Sequence, residues 1–423
     1  MMINTREFTT KDDMRAAAGS LRQPTGAVQE VENEAASIIS DVRDRGDAAV
    51  VEFTQRFDGV LLDPGSLEVP CSRLEQSLSS LAASEREALQ KAAGRVMAFA
   101  SRSIPSDWTC EPAPGVKVGQ VTRPIEPVGL YVPGGRYAYP SSVLMAGIPA
   151  RAAGVTDIVI CTPPGEQGDP SPLVLAACAI LGACRVFRIG GAQAIAAMAC
   201  GTQTVPRCSM IAGPGNAYVA AAKRLLSGDV TVDLDAGPSE VAILADESGD
   251  PAFAASDMLA QLEHDPASLA ILISESPGVL EAVKESLAGA VSIDGTCHLL
   301  RCASRRQSIE LVNAIAPEHL ELMVEDAANL LPSIKSAGAV FLGRYSAVAL
   351  GDYVAGPSHV LPTGGTAARL SGLSAADFLR RMNVISYSRE GLLQDAATAS
   401  LLATLEGLDN HARSISLRTG KQG

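Results

Sequence analysis

The chain has 423 residues, 47% of them apolar, 19% charged and 4% aromatic, and its net charge is −13. That balance suits a globular protein large enough for two or three buried cores and leaves out a disordered chain. The absence of any Lys/Arg block leaves out the basic footprint that nucleic-acid binding needs.

The N-terminus, MMINTREFTTKDDM, has no apolar stretch of signal-peptide type, and the longest uncharged apolar run, about Pro172 to Cys184, is too short to span a bilayer. A cytoplasmic address without membrane contact is therefore expected. The first 110 residues read as helical: VQEVENEAASIISDVRDRGDAAVVEFTQRF and SRLEQSLSSLAASEREALQKAAGRVMAFA repeat apolar residues at three and four.

From about Val121 the texture becomes β-branched runs alternating with Ala-rich helices: VGLYVPGG, TDIVICTPP, SPLVLAACAILGA, RVFRIGG, AQAIAAMA, SMIAGPGN and AYVAAAKRLLS. This is a βαβ series, which implies a parallel sheet with helices on its faces. After Asp229 a second alternation follows, from DVTVDLDAGPSEVAILADES through SLAILISE and HLLRCA to AGAVFLG, so two α/β units are expected in tandem. The tail from about Ser374 reads as helical with a short extended patch, too thinly apolar for a lone helical pair, which suggests packing on a partner subunit. Nine cysteines (Cys71, Cys110, Cys161, Cys178, Cys184, Cys200, Cys208, Cys297 and Cys302) are scattered without a CxxC and read as reduced core residues.

Three glycine turns follow apparent strands: YVPGGRYAYPSS, RIGGAQAIAAM and IAGPGNAYVAAAK. Ligands of open α/β sheets gather there, where helix N–H groups favour phosphate oxygens. None is a GxGxxG with an acid about twenty residues on, so tight packing turns explain them equally well. Tyr131 at a strand end, and Gln193 and Asn216 at helix starts, carry groups suited to a ribose or an amide, although Asn and Gln there are also ordinary caps.

Polar candidates for a metal are few, since the chain has five histidines. Gln261 and His264 in AQLEHDP stand one helical turn apart, at most half of a tetrahedral zinc shell. His298 lies in an apolar strand and reads as a core or edge histidine. Glu318 and His319, adjacent in NAIAPEHLEL at a helix start or turn, offer two proton-transfer groups of different pKa. Asp352 and His359 share the Gly/Pro-dense loop GDYVAGPSHVLPTGGT. His411 lies beyond Glu406 on the tail helix, about 140° around it. A shell of Gln, His, Asp and His would suit Zn²⁺, with Mn²⁺ as the alternative.

The stretch VDLDAGPSEVAILADESGDPAFAASDMLAQLEHDP resembles the signature of the histidinol dehydrogenase family, which runs from an AGP[ST]E turn to QxEH. The likeness extends through VRDRGDAAVVEFTQRFDG, RPIEPVGLYVPGG, YPSSVLM, RIGGAQAIAAMACGT, GPGNAYV, NAIAPEHLEL, GDYVAGPSHVLPTGGTA and EGLDNHARSISLR. The resemblance implies one Zn²⁺ per subunit on Gln261, His264, Asp352 and His411. It implies substrate contacts from Ser239, Gln261, His264, His319, Asp352, Glu406 and His411, and catalytic bases Glu318 and His319. NAD contacts fall on Tyr131, Gln193 and Asn216.

The implied reaction is oxidation of L-histidinol to L-histidine through a retained aldehyde with two NAD, in an intertwined homodimer whose tail completes the neighbour's site. The implied fold is α/β, with two tandem, incomplete Rossmann-like parallel-sheet units and helical segments at both ends. The expected division is 1–25 as an N-terminal helical segment, 26–128 with 240–373 as a larger α/β domain, 129–239 as the nucleotide-binding domain and 374–423 as the dimerisation tail.

Relatives on this scaffold oxidise other small alcohols such as sulfonated diols. From other classes, a zinc hydrolase using Glu318 or a non-catalytic metal or nucleotide binder is the alternative. The chain departs from the family pattern at Ser209 and Met210, which replace an acid and a base before GPGN and are expected to tune cofactor affinity. It departs again at Ser358, where Asn is common, and at AGIPA after LM.

Overall fold

The computed structural model describes residues 2–8, 19, 21, 28–134, 137–183, 185–234, 237–288 and 295–420. Most of it forms one unit, residues 1–103 with 125–378; residues 104–124 with 379–423 form a second.

The first sheet of the larger unit runs β2 (Glu68–Val69), β7 (Arg185–Arg188), β6 (Ile158–Thr162), β5 (Val128–Tyr131), β8 (Met210–Ala212), β9 (Thr231–Val232). All of its pairings are parallel except that of β2 with β7. Read from β5 the order is 3-2-1-4-5, the doubly wound pattern short of its last strand. The second sheet repeats it: β12 (Thr296–Cys302), β11 (Leu269–Ser274), β10 (Glu240–Ala245), β13 (His319–Met323) and β14 (Ala339–Leu342), with β1 (Met2–Phe8) added beside β12. Each sheet reverses its strand order beside its first central strand, between β5 and β8 and between β10 and β13. The two tandem, incomplete Rossmann-like units expected from the sequence are present.

Central strands read as unbroken apolar runs because helices cover both faces: every residue of IVICT, EVAILA, LAILIS and HLELM is buried. The helix Val28–Arg45 places Ala35, Ile38, Ile39 and Val42 on one stripe, which packs with Phe53, Val159, Phe187, Ile195 and Val219 in one core. Residues 28–100 also supply cover for the first sheet: Cys71–Ser80 packs on Pro172–Leu181, and Ala83–Ala100 packs on Pro140–Ala152.

Three expectations change. Residues 2–8, placed in a helical segment, form a strand paired with β12 over its whole length; the rest of 1–25, apart from residues 19 and 21, lies outside the described residues. Residues 104–124 join the tail instead of a domain with 26–103, because β3 (Trp108–Ala113) and β4 (Val116–Pro124) form an antiparallel sheet with β15 (Leu379–Tyr387). Finally, Cys71 and Cys110 are exposed and Cys200 is half-buried; the described cysteines are unbridged, the other five are buried, and Cys184 lies outside the described residues.

Candidate functional site

Two groups of predicted residues converge within the larger unit. The first lies at the carboxyl edge of the first sheet. A cleft of about 1010 Å³ opens there, lined by Tyr131, Gln193 and Asn216 together with Asp58, Gly191 and Tyr218. Tyr131 ends β5, and its hydroxyl accepts the Gly191 N–H at 3.1 Å; burial pushes its pKa up to about 12, so the phenol keeps its proton. Gly191 opens the helix Gly191–Cys200 at φ 64°, and a Cβ there would meet Gln193 Oε1 at 2.6 Å. Gln193 is 1% exposed, and neither end of its amide has a hydrogen-bond partner. A buried amide left open on a cleft is an unfilled demand for a polar ligand. Asn216 is the cap of the helix Ala217–Leu226, accepting from the N–H groups of Tyr218 and Val219 at 3.1 Å each. Its amide nitrogen carries two further donors.

The turn between β8 and that helix is held from beneath. Asp233 Oδ2 accepts the Gly213 N–H at 2.8 Å, Lys223 Nζ donates to the Gly213 carbonyl at 3.1 Å, and the two side chains form a buried ion pair. Gly213 has φ 115°, and a Cβ there would collide with the Tyr131 carbonyl oxygen. Ser209 and Met210 lie at the opposite end of β8 from this turn, where the Ser209 hydroxyl donates to the Glu126 carbonyl and Met210 is buried.

The second group lies at the amino edge of the second sheet. His319 opens β13, which corrects its placement at a helix start or turn, and pairs in register with Val241 of β10. Glu318 and His319 are both about 5% exposed. Glu318 Oε2 accepts the Glu240 N–H at 2.8 Å, and the Ser239 hydroxyl also reaches this carboxyl. Burial raises the Glu318 pKa well above the usual carboxylate range against those two bonds.

His319 Nδ1 stands 3.2 Å from the Glu240 carbonyl, which assigns the proton to Nδ1 and leaves the Nε2 lone pair facing Asp352 Oδ1 at 3.8 Å. Burial lowers the His319 pKa, so the ring is neutral and able to take a proton. His359 Nδ1 lies 3.0 Å from the Asp352 carbonyl, and burial lowers its pKa as well. Sequence reasoning left His359 out of the site; its place in a glycine-dense loop beside Asp352 was the available signal.

Gln261 lies in the last turn of the helix Pro251–Leu262, which packs on the helix Val348–Tyr353 bearing Asp352, whereas His264 follows the Glu263 cap and so stands just past the helix end, not one turn along it as expected. His264 is exposed and close enough to His319 and His359 to disfavour their charging. Gln261 is 4% exposed, and its amide nitrogen has no partner. Because the two ends of an amide exchange on a flip, that orphan leaves the polar end open to a ligand. Amide oxygen, imidazole and carboxylate form a donor set that fits Zn²⁺. Among the described residues no group of three or more His, Cys, Asp or Glu side chains forms a metal cluster. Gln261 is outside those types, and His411 lies on the other unit.

Glu406 and His411 belong to that second unit, and both are exposed. They are not on one helix as expected. Glu406 caps the helix Arg389–Leu405, and Gly407 at φ 74° breaks the chain before Asp409–Thr419, which carries His411.

Within the larger unit the two sites are linked covalently. Asp233 and Leu234 leave the carboxyl edge of the first sheet after β9, and residues 237–239 enter the amino edge of the second before β10. Asp233 holds the Gly213 turn at one end, and Ser239 meets Glu318 at the other. Gly237 between them donates its N–H to Thr363 Oγ1.

A family model described as histidinol dehydrogenase matches residues 21–419. The histidinol dehydrogenase of Pseudomonas fluorescens is 47% identical over 393 residues, 90% of this chain and 89% of the relative. That of Syntrophotalea carbinolica is 45% identical over 428 residues, 99% of both chains. The crystal structure of histidinol dehydrogenase from Elizabethkingia anophelis superposes with a TM-score of 0.91 at 31% identity, covering 98% of this chain and 97% of that one.

Proposed function

Because the chain belongs to the histidinol dehydrogenase family, we propose that it oxidises L-histidinol to L-histidine through histidinal, reducing two NAD, with one Zn²⁺ per subunit. We place this reaction in the cytoplasm, as the closing steps of histidine biosynthesis. The observation that supports it most is the Glu318–His319 pair, buried side by side with a protonated Nδ1 and an open Nε2 on the histidine.

Gln261, His264 and Asp352 would hold the metal, with His411 of the partner subunit as fourth ligand and Glu406 of the partner subunit facing the cationic substrate. Two neutral donors and one carboxylate from this unit leave such a site net positive, suited to the imidazole and amine nitrogens of the substrate. When bound, zinc anchors and polarises the substrate, and NAD takes the hydride. His319 Nε2 takes the alcohol proton as the C–H electron pair departs, giving the aldehyde. Glu318 then draws a proton from water attacking the aldehyde carbon, and loss of the second hydride gives the acid. Burial, by raising its pKa, makes the Glu318 carboxylate a stronger base than an exposed one for that proton. Gln193, Tyr131 and Asn216 would bind the dinucleotide.

The broad apolar surface of the tail supports a homodimer: Ile385, Leu401, Leu405 and Leu417 are all more than half exposed in the single chain. The roles are separable. His319→Asn is expected to lower turnover at least 100-fold while metal content stays near one per chain. Gln261→Ala and His411→Ala are expected to lose metal, read by elemental analysis of the purified proteins. Equal metal content across all four proteins would contradict the ligand set.

A further inference from the structure

The cleft at the carboxyl edge of the first sheet holds an acid that neither the predicted site nor its mechanism uses. Asp58 is the last residue of the helix Asp47–Asp58, ahead of every strand of the first sheet in chain order. Its carboxyl lines the cleft with Tyr131 and Gln193, and its Oδ2 is buried without a hydrogen-bond partner. Burial raises its pKa to about 6, so it is mainly ionised at neutral pH and acts only as an acceptor.

The position of this carboxyl matters. In a dinucleotide fold the acid that accepts from the adenosine ribose comes about twenty residues after the glycine turn, near the end of the second strand. Here the second strand ends Thr162-Pro163-Pro164 and carries no acid. Asp58 occupies that region from outside: a Cβ on Gly190 would stand 3.3 Å from Asp58 Oδ1 and 2.8 Å from Pro163 Cβ. A helix that precedes the sheet therefore delivers the carboxylate the second strand lacks.

The other acids of the cleft are committed or exposed. Asp169 pairs with Arg73 and Arg188, Glu34 stands 3.8 Å from Arg56, and Glu166 is exposed. Among the described residues lining the cleft there is no Lys or Arg to receive an additional phosphate.

Resting on the dehydrogenase reading, we propose that Asp58 accepts from a ribose hydroxyl of NAD and excludes the 2′-phosphate of NADP. A hydroxyl donates to the ionised carboxylate, whereas a phosphate at that position brings like charge against it, with no Lys or Arg among the described lining residues to offset it.

The test is equilibrium binding of NAD and of NADP by calorimetry, on the parent, on Asp58→Asn and on Glu166→Gln as a control acid from the same cleft. Asp58→Asn should weaken NAD about tenfold and narrow the NADP-to-NAD ratio of Kd by at least about tenfold. Glu166→Gln should leave that ratio unchanged. With L-histidinol, Asp58→Asn should raise the KM for NAD with little change in kcat. Asp58→Glu, which keeps the charge but displaces it, should weaken NAD while still rejecting NADP, and it serves if the Asn variant does not fold. A ratio within about twofold of the parent in a folded Asp58→Asn protein overturns the assignment. A parent that binds neither dinucleotide overturns the dehydrogenase reading itself.

Discussion

Glu321 shows how a single buried carboxyl shapes the site region. It follows His319 by two along β13 and so lies on the same face of the strand, fully buried and against the Asp257 carboxyl, with which it can share a proton. Burial first, and then the Asp257 charge, raises its pKa to about 9. Since an unfolded Glu titrates near 4.3, the folded chain retains a proton between roughly pH 4.5 and 9 that the unfolded chain has lost. Stability therefore falls as pH rises through that window. Glu321→Gln removes this titration and can donate to Asp257. The expected result is a melting temperature above the parent's at pH 8, with the difference shrinking toward pH 5; equal shifts at both pH values would contradict the assignment. Of the site residues, Gln261, His264, Glu318 and His319 were visible as unusual polar residues in apolar segments. Asp58 was not, because RFDG reads as an ordinary helix end and only the packing of its helix on the first sheet carries it to the cleft.

At the scale of elements, the βαβ texture made both sheets legible, since buried parallel strands must be apolar runs bounded by glycine turns. The β3–β4–β15 sheet was not, because β15 pairs with a strand more than 250 residues earlier and local periodicity has no memory at that range. The position of His319 was misjudged for a related reason: Glu-His after a proline resembles a helix start, and only pairing with β10 makes it a strand end. The Gly213 turn supplies the prediction at this scale. Lys223 and Asp233 are 4% and 0% exposed, and each also bonds the Gly213 backbone. Lys223→Met would leave Asp233 as an uncompensated buried charge, costing about 3–5 kcal/mol of stability. Asp233→Asn combined with Lys223→Met should recover part of that loss, whereas a double variant no more stable than the single one would show that the pair does not act together.

For the whole molecule, the proposed reaction divides between the two Rossmann-like sheets, proton transfer at the amino edge of one and hydride acceptance at the carboxyl edge of the other, the chain passing from one to the other between β9 and β10. The tail contributes Glu406 and His411, which the proposal assigns to a neighbouring copy's site. The proposed reaction is a four-electron oxidation in which the aldehyde stays bound. The most direct measurement is NADH formed per L-histidinol consumed, at limiting histidinol and excess NAD, with the zinc-loaded protein and with a chelator-treated sample. The expected result is about two NADH per histidinol with no free aldehyde, lost on chelation and restored by added Zn²⁺. One NADH per histidinol with aldehyde released, or NADH formed from a sulfonated diol and none from histidinol, would contradict it.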